Sequence, residues 1–331
     1  MQDRYAGDVG DFGKIGLLKC LQKHGFTIGV NWYRVRPLDN EMNNDGSFKQ
    51  DDGKHLISEK IKECDANLAD KLTYIAKNDR SVESIQNADL ISGAVYYDEY
   101  LTVDGREEWN KKAKSILAEA DLVFLDPDNG LLVKSVGKRS AKSIKYAFYE
   151  EVKGYIESGK SVLIYNHRSR KSENEYFDEI EKLLEDSLRV SRNTIQTITF
   201  PKGSVRDYFA VPVSEEHYNM IFEAFKDMKY SKWGQSGLCR LHPEWADEIY
   251  VKYRTYDEYL FLDEESTHFS EDMSLEDYRC AITRYLMLCG YNYSEEAANS
   301  LVRNYDKSIR GSFLNKEPVD SVALDIGYGC G

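Results

Sequence analysis

The sequence feature that most constrains the fold is the stretch 121–131, an apolar run that ends in Asp126, Asp128 and Asn129. A short apolar run of this kind, following a helix-like stretch, is typical of a buried parallel strand. Pro127 cannot donate a ladder hydrogen bond and therefore predicts the end of the strand. The polar residues are common in turns and could simply close the strand. Their place at the carboxyl end of a predicted strand, where open α/β sheets bind ligands, favours a functional site.

A second predicted strand also ends in polar side chains. Residues 140–158 have the spacing of an amphipathic helix, and the apolar run 161–165 follows as a buried strand that leads to His167 and Arg168. The two strands and the helix between them form a predicted βαβ unit, so both strand ends lie at the same edge of the sheet. If these polar residues only formed turns, the same coincidence would have to occur at the ends of both strands, so the pattern favours a functional site.

The other hydrophobic patterns predict an α/β fold with a Rossmann-like, mostly parallel sheet. Residues 26–33 form the first clear strand pattern, and residues 194–200 and 206–212 are typical of a hairpin. The hairpin predicts that the last strand of the sheet is antiparallel. Helices are predicted before Gly25 and over residues 55–77, 81–88, 106–120, 172–187 and 214–228, and a short strand is predicted at 95–97.

The chain is predicted to divide into a main domain, residues 1–253, a linker and a helical appendage. Residues 230–253 show no clear pattern, and the acidic, poorly periodic stretch 254–273 is typical of a linker. Residues 274–331 carry three helical patterns and no residues that indicate catalysis. We therefore interpret this appendage as a capping module or as a module that binds a protein partner. The three patterns cover residues 274–289, 294–313 and 317–326.

Composition narrows the classes of function. A formal net charge of −13 argues against a broad basic surface that grips long duplex DNA. The six cysteines contain no C-x-x-C pair, which indicates reduced thiols rather than a zinc site or a disulfide framework. The sequence has no signal-peptide pattern and no apolar run of about 18 residues. We therefore expect a cytoplasmic protein with no membrane segment.

The chain opens with a glycine-rich loop, residues 5–14, before its first helix. A helix N-terminus offers unpaired backbone N–H groups, which favour anions. Asp8 and Asp11 in this loop are either helix caps or ligand-binding residues. The loop lacks the spacing and the Gly-Lys-Ser/Thr ending of a Walker loop. A polar loop over residues 37–53 ends in a second cluster, 51–55, that is able to reach phosphate or metal.

The order of strands and helices, closed by a hairpin, resembles the class I S-adenosylmethionine-dependent methyltransferase fold. The opening loop is similar to that of the 23S ribosomal RNA adenine-N6 methyltransferases, whose Asp-Pro-Pro-Tyr motif ends a strand as Asp126-Pro127-Asp128-Asn129 does here. Over residues 1–213 the motifs look more like an uncharacterised bacterial family with an Asp-Pro-Asp-Asn-Gly-Leu motif. The resemblance implies S-adenosylmethionine as cofactor, with its methionine part over the opening loop. The implied cofactor-binding residues are Tyr5, Gly7, Asp8, Asp11 and Lys14.

Two departures from the methyltransferase pattern lead to other hypotheses. The family follows its first strand with a glycine-rich loop, whereas residues 31–37 here contain no glycine, and close approach of backbone to a cofactor requires glycine. The aromatic residue that would stack on a target base is replaced by Asn129. In the methyltransferase hypothesis, Asp126 accepts a hydrogen bond from the target amine, and Asp128 and Asn129 orient the substrate.

The second hypothesis is a Mg²⁺-dependent nuclease or nucleotide hydrolase. Asp126 and Asp128 would be metal ligands, joined by Asp8, Asp11 or Asp52, because Mg²⁺ prefers carboxylate oxygens. His167 would act as acid or base, and Arg168 and Lys14 would stabilise charge on phosphate oxygens. A third hypothesis is a non-enzymatic binding adaptor. Basic residues near the predicted edge indicate an anionic or nucleotide-like substrate, including RNA or DNA. These residues are Lys14, Lys54, Arg168 and Arg170.

Overall fold

The computed structural model describes residues 1–37, 57–242, 273–287, 293 and 295–327. The predicted cluster 51–55, with Asp52 and Lys54, lies outside the described residues, as do 38–53 of the polar loop and 254–272 of the predicted linker. The chain forms two compact units. The first consists of Met1–Leu188 and Gln196–His242, and the second of Arg189–Ile195 and Pro243–Gly331.

The first unit contains a seven-stranded sheet of order β2-β1-β3-β6-β8-β7-β9. Strands β2, β1, β3 and β6 are parallel, whereas β8 runs antiparallel between β6 and β7, and β9 is antiparallel to β7 at the edge. The predicted α/β class with a mostly parallel sheet and an antiparallel strand is therefore confirmed. The strands are β1 Ile28–Asn31, β2 Val95–Tyr97, β3 Leu122–Leu125, β6 Ser161–His167, β7 Gln196–Phe200, β8 Arg206–Val211 and β9 Arg240–His242, and a separate pair joins β4 Gly130–Leu131 to β5 Tyr146–Ala147.

The helices of this unit occupy most of the predicted helical segments. Among the described residues, no helix has both the length and the apolar character that crossing a membrane requires. The helices are α1 Val9–Lys23, α2 Glu59–Lys62, α3 Ala66–Asn78, α4 Val82–Asn87, α5 Arg106–Ile116, α6 Tyr149–Ile156, α7 Glu173–Leu188, α8 Glu215–Tyr230 and α9 Lys232–Gln235.

The helix predicted over residues 140–158 is wrong in its first half. The chain forms a 3-10 turn at Ala141–Lys145 and then β5, and α6 begins only afterwards. The guanidinium of Arg106 donates hydrogen bonds to the carbonyl oxygens of Ser143 and Tyr146, at 3.0 and 2.6 Å. In an α-helix these carbonyls would accept from amides four residues later. Contact with a distant side chain therefore overrides the local helical pattern.

Two other segments differ from the sequence prediction. The helix predicted over residues 55–77 is interrupted before α3, where the Asp65 side chain accepts a hydrogen bond from the Leu68 amide at 3.0 Å and caps the new helix. The unpatterned stretch 230–253 contains α9 and β9, the seventh strand of the sheet. Three residues are too few for an alternation of polar and apolar side chains to be recognised.

The second unit contains four described helices where three patterns were predicted. The single pattern 294–313 is divided at Tyr305, whose backbone leaves the helical conformation (φ −102°, ψ 15°). The helices are α10 Leu275–Tyr285, α11 Glu295–Asn304, α12 Asp306–Leu314 and α13 Val319–Gly327. Their apolar faces share one core that includes Tyr278, Ile282, Val302, Ile309 and Val322.

Strands β3 and β6 fix the position of the polar residues that follow them. Every residue of β3 is buried, and so are all residues of β6 except His167 at its end. The apolar run of β3 ends at Asp126, and that of β6 ends at Asn166 and His167. Helix α1 starts at this level of the sheet, because Lys14 in its second turn reaches the carboxylate of Asp126.

Candidate functional site

A cavity of about 400 Å³, here called the edge cavity, lies at the carboxyl ends of β3 and β6. Eight of the ten predicted site residues line it, so the opening loop and both strand ends meet at this cavity. The predicted residues in the lining are Tyr5, Asp8, Asp11, Lys14, Asp126, Asp128, Asn129 and His167, and they are joined by Gly10, Lys145, Tyr165 and Arg206.

A buried cluster of charges forms the floor of the cavity. The Lys14 ammonium lies 2.6 Å from Asp126 Oδ2 and 3.0 Å from Asp11 Oδ1, and all three residues are at most 5% exposed. Burial disfavours the charged ammonium, but the two carboxylates outweigh it and raise the pKa of Lys14 well above its usual value. Lys14 is therefore a permanent cation that holds Asp126 and Asp11 in place.

Asp128 faces a different set of donors. Its Oδ1 lies 2.9 Å from the Met1 ammonium, and the Gln2 side-chain amide donates to its Oδ2 at 2.6 Å. Lys145 Nζ is 3.7 Å from the same carboxylate. Burial works against ionisation, yet the ammonium, Lys145 and Gln2 together lower the pKa of Asp128. Asp128 is thus an ionised carboxylate at neutral pH.

The opposite wall brings together Asp8, His167 and Arg206. Burial and the neighbouring Asp11 raise the pKa of Asp8, while partial desolvation and the neighbouring Arg206 lower the pKa of the more exposed His167. Both shifts favour neutral side chains, so this wall combines an acid and a base whose pKa values move toward each other. Such pairs in a cleft are candidates for proton transfer.

Arg206 is one of the cavity residues that were not predicted from the sequence. It pairs with His167 in the register of β6 and β8, because an antiparallel strand begins where its neighbour ends. The hairpin prediction already placed residue 206 at the start of that strand. The signal was therefore present: the first residue of a reversed strand lies beside the carboxyl end of the parallel strand that it joins.

Two predicted site residues lie outside the cavity lining. The Arg168 guanidinium donates to Asp207 Oδ2 at 2.9 Å and to Glu173 Oε2 at 2.7 Å, within a network between β6, β8 and α7. Gly7 has φ +82°, and a Cβ there would lie 2.6 Å from the Leu72 carbonyl oxygen. Its amide donates to Asp11 Oδ2 at 2.8 Å. Neither residue lines the cavity. Gly7 contacts the lining residue Asp11, whereas Arg168 contacts Asp207 and Glu173.

The end of β1 does not fit S-adenosylmethionine in the way the methyltransferase resemblance implies. The place of a glycine-rich loop holds Trp32 and Tyr33, both with 0% exposure. The Tyr33 hydroxyl donates to the Glu151 carboxylate at 3.0 Å, and its backbone has φ 44°. Among the described residues, buried aromatic side chains occupy the place of the glycine-rich loop.

The described acidic residues of the cavity do not form a set of metal ligands. Within the ranges that the structure describes, no group of three or more His, Cys, Asp or Glu residues is arranged to hold a metal ion. Asp126 and Asp128 each face an ammonium group, from Lys14 and Met1 respectively. A Mg²⁺ ion bound by both carboxylates would have to displace these cations.

Comparisons with protein-family models, with curated proteins and with solved structures find no match to this chain. The case for a function therefore depends on the residues of the edge cavity.

Proposed function

We propose that this protein is an enzyme that hydrolyses an anionic, nucleotide-like substrate in the edge cavity. The observation that carries the proposal is the convergence of two strand ends and the loop before α1 on one cavity, with Asp126, His167 and Lys14 in its lining. The carboxyl edge of a parallel sheet is where α/β proteins bind ligands. Groups with shifted pKa values in a cleft are typical of active sites.

The side chains of the cavity can supply the proton transfers of hydrolysis. His167, neutral because its pKa is lowered, would accept the proton of the attacking water. If the substrate is a phosphate ester, the bond from phosphorus to the leaving oxygen breaks as the bond from phosphorus to the water oxygen forms. Asp8, whose pKa is raised, would donate a proton to that leaving oxygen. Lys145 would offset negative charge on the substrate, while Lys14 balances the charge of Asp126 and Asp11.

We expect His167→Gln to lower kcat/KM for the best substrate by about 100-fold or more, the contribution of a positioned base. In the wild type, activity should fall as the pH drops below the lowered pKa of His167, because the protonated ring cannot accept a proton. A panel of nucleotides and of RNA and DNA oligonucleotides, assayed for hydrolysis across pH, measures both effects.

His24→Gln is the matched control, because His24 pairs with the exposed Asp227 and is not part of the cavity lining. It should leave the acid limb of the pH profile in place. An unchanged limb in His167→Gln would exclude His167 as the base. Parallel assays with EDTA and with Asp126→Asn test the Mg²⁺ hypothesis, which expects both to abolish hydrolysis.

Methyl transfer is the second candidate, and the strand order favours it. The reversed β8 between β6 and β7 follows the βαβ unit as in the fold that the sequence resembles, and Asp126-Pro127-Asp128-Asn129 follows β3. S-adenosylmethionine would then have to bind in the edge cavity beside residues 7–14. Calorimetry with S-adenosylmethionine tests this: no binding at millimolar cofactor would refute the candidate.

A protein partner for the helical appendage stays a prediction, as does the adaptor hypothesis.

A further inference from the structure

Arg206 presents hydrogen-bond donors that no described residue takes up. The residue is 8% exposed and lines the edge cavity. Its Nη1 donates to the carbonyl oxygens of Lys202 and Ser204, both at 3.0 Å. Its Nη2 is 4.0 Å from Asp8 Oδ2, which is too long for a hydrogen bond. Within the part of the chain that the structure describes, Nε and Nη2 are therefore left to a ligand.

The first turn of α1 lies directly against this guanidinium. A Cβ on Gly10 would be 2.9 Å from Arg206 Nη2, 3.0 Å from its Cζ and 2.9 Å from Asp8 Oδ1, so glycine at this position lets both side chains approach the helix. Asp8 caps the helix by accepting a hydrogen bond from the Asp11 amide at 3.0 Å. The amides at the start of a helix lack partners within the helix and carry the positive end of its dipole. Two independent sources of positive potential thus meet at one point.

We propose that Arg206 and the first turn of α1 bind a phosphate group of the substrate. This inference rests on the proposed function and names the ligand chemistry, a phosphate monoester or diester. A guanidinium offers a planar pair of donors that matches two phosphate oxygens. Lys202, an exposed residue whose carbonyl oxygen accepts from Arg206, lines a narrow cleft together with Arg206, Val9 and Gly10.

The test compares four probes by calorimetry: inorganic phosphate, a nucleoside, its 5′-monophosphate and a dinucleoside monophosphate. The monophosphate should bind at least about tenfold more tightly than the nucleoside, as expected for charge-assisted hydrogen bonds. Arg206→Gln should remove that difference. Gly10→Ala, which keeps the helix and the arginine, should also remove most of it, because the methyl group displaces the guanidinium. The dinucleoside arm distinguishes a terminal phosphate from a linking one.

Gly311→Ala is the matched control, since a Cβ on this helical glycine of the second unit meets nothing within 4 Å. It should bind all four probes as the wild type does. Equal affinity for nucleoside and monophosphate in the wild type would overturn the phosphate subsite, while hydrolysis in the same preparation would still support the proposed function. Phosphate binding that depends on Arg206, without hydrolysis of any substrate, would support the subsite and reject the proposed function.

Discussion

Lys14→Met is expected to lower the free energy of unfolding by about 3–5 kcal/mol, the cost of removing one partner of a buried ion pair. The ammonium is 2.6 Å from Asp126 and 3.0 Å from Asp11, and both carboxylates are almost fully buried. Methionine preserves much of the side-chain volume but leaves these carboxylates unpaired. Urea denaturation followed by circular dichroism measures the loss.

Two further variants separate the charge effect from packing. Lys19→Met removes a partly exposed lysine of the same helix, paired with Asp65, and should cost less than about 1 kcal/mol. In the double variant Lys14→Met/Asp126→Asn, the Asp126 carboxylate that has lost its ammonium partner is replaced by an amide. Its loss of stability should therefore be smaller than the sum of the two single losses. Equal losses in Lys14→Met and Lys19→Met would show that the buried cluster contributes little.

The polar edge of the sheet could be predicted because its signal is local. The apolar run before Asp126 spans β3, and the apolar run before Asn166 and His167 lies within β6. Parallel strands joined by a helix must place these ends at one edge. The side chains that converge on the edge cavity therefore follow from short segments of sequence and one topological rule.

The partners of those side chains could not be predicted, because they come from distant parts of the chain. The sequence gives no sign that Lys14 faces Asp126, across 112 residues, or that aromatic side chains fill the end of β1. Arg168 was predicted as a site residue because it follows His167 in sequence, yet its guanidinium donates hydrogen bonds to Asp207 and Glu173. Periodicity places a residue on an element, whereas ion pairing depends on how the elements pack.

Charge balance makes a cavity with four acidic residues compatible with the anionic substrate that we propose. Asp126 and Asp11 are paired with Lys14, and Asp128 with the Met1 ammonium. The raised pKa of Asp8 shifts it toward the neutral form. The acidic groups are thus largely compensated by cations within the protein, and the donors of Arg206 remain for a ligand among the described residues.

Arg106→Met is the second variant with a large expected effect, again a loss of about 3–5 kcal/mol in the free energy of unfolding. The guanidinium pairs with both oxygens of the Glu151 carboxylate, at 2.5 and 2.8 Å, and both residues are at most 7% exposed. It also donates to the Ser143 and Tyr146 carbonyl oxygens. These contacts fasten the segment 143–148, which carries Lys145 to the edge cavity.

The loss of Arg106 should therefore be detected at the site as well as in global stability. The Asn129 amide donates to the Lys145 carbonyl oxygen at 2.9 Å, so its hydrogen exchange should accelerate when the segment loosens. Lys112 lies on α5, as Arg106 does, and forms an exposed ion pair with Glu99. Lys112→Met should lower the free energy of unfolding by less than about 1 kcal/mol and leave the hydrogen exchange of the Asn129 amide unchanged. The double variant Arg106→Met/Glu151→Gln should regain part of the stability but not the protection of Asn129, because the carbonyls of segment 143–148 still lack their donor. Full protection in Arg106→Met would mean that β4 and β5 hold this wall of the cavity without the arginine.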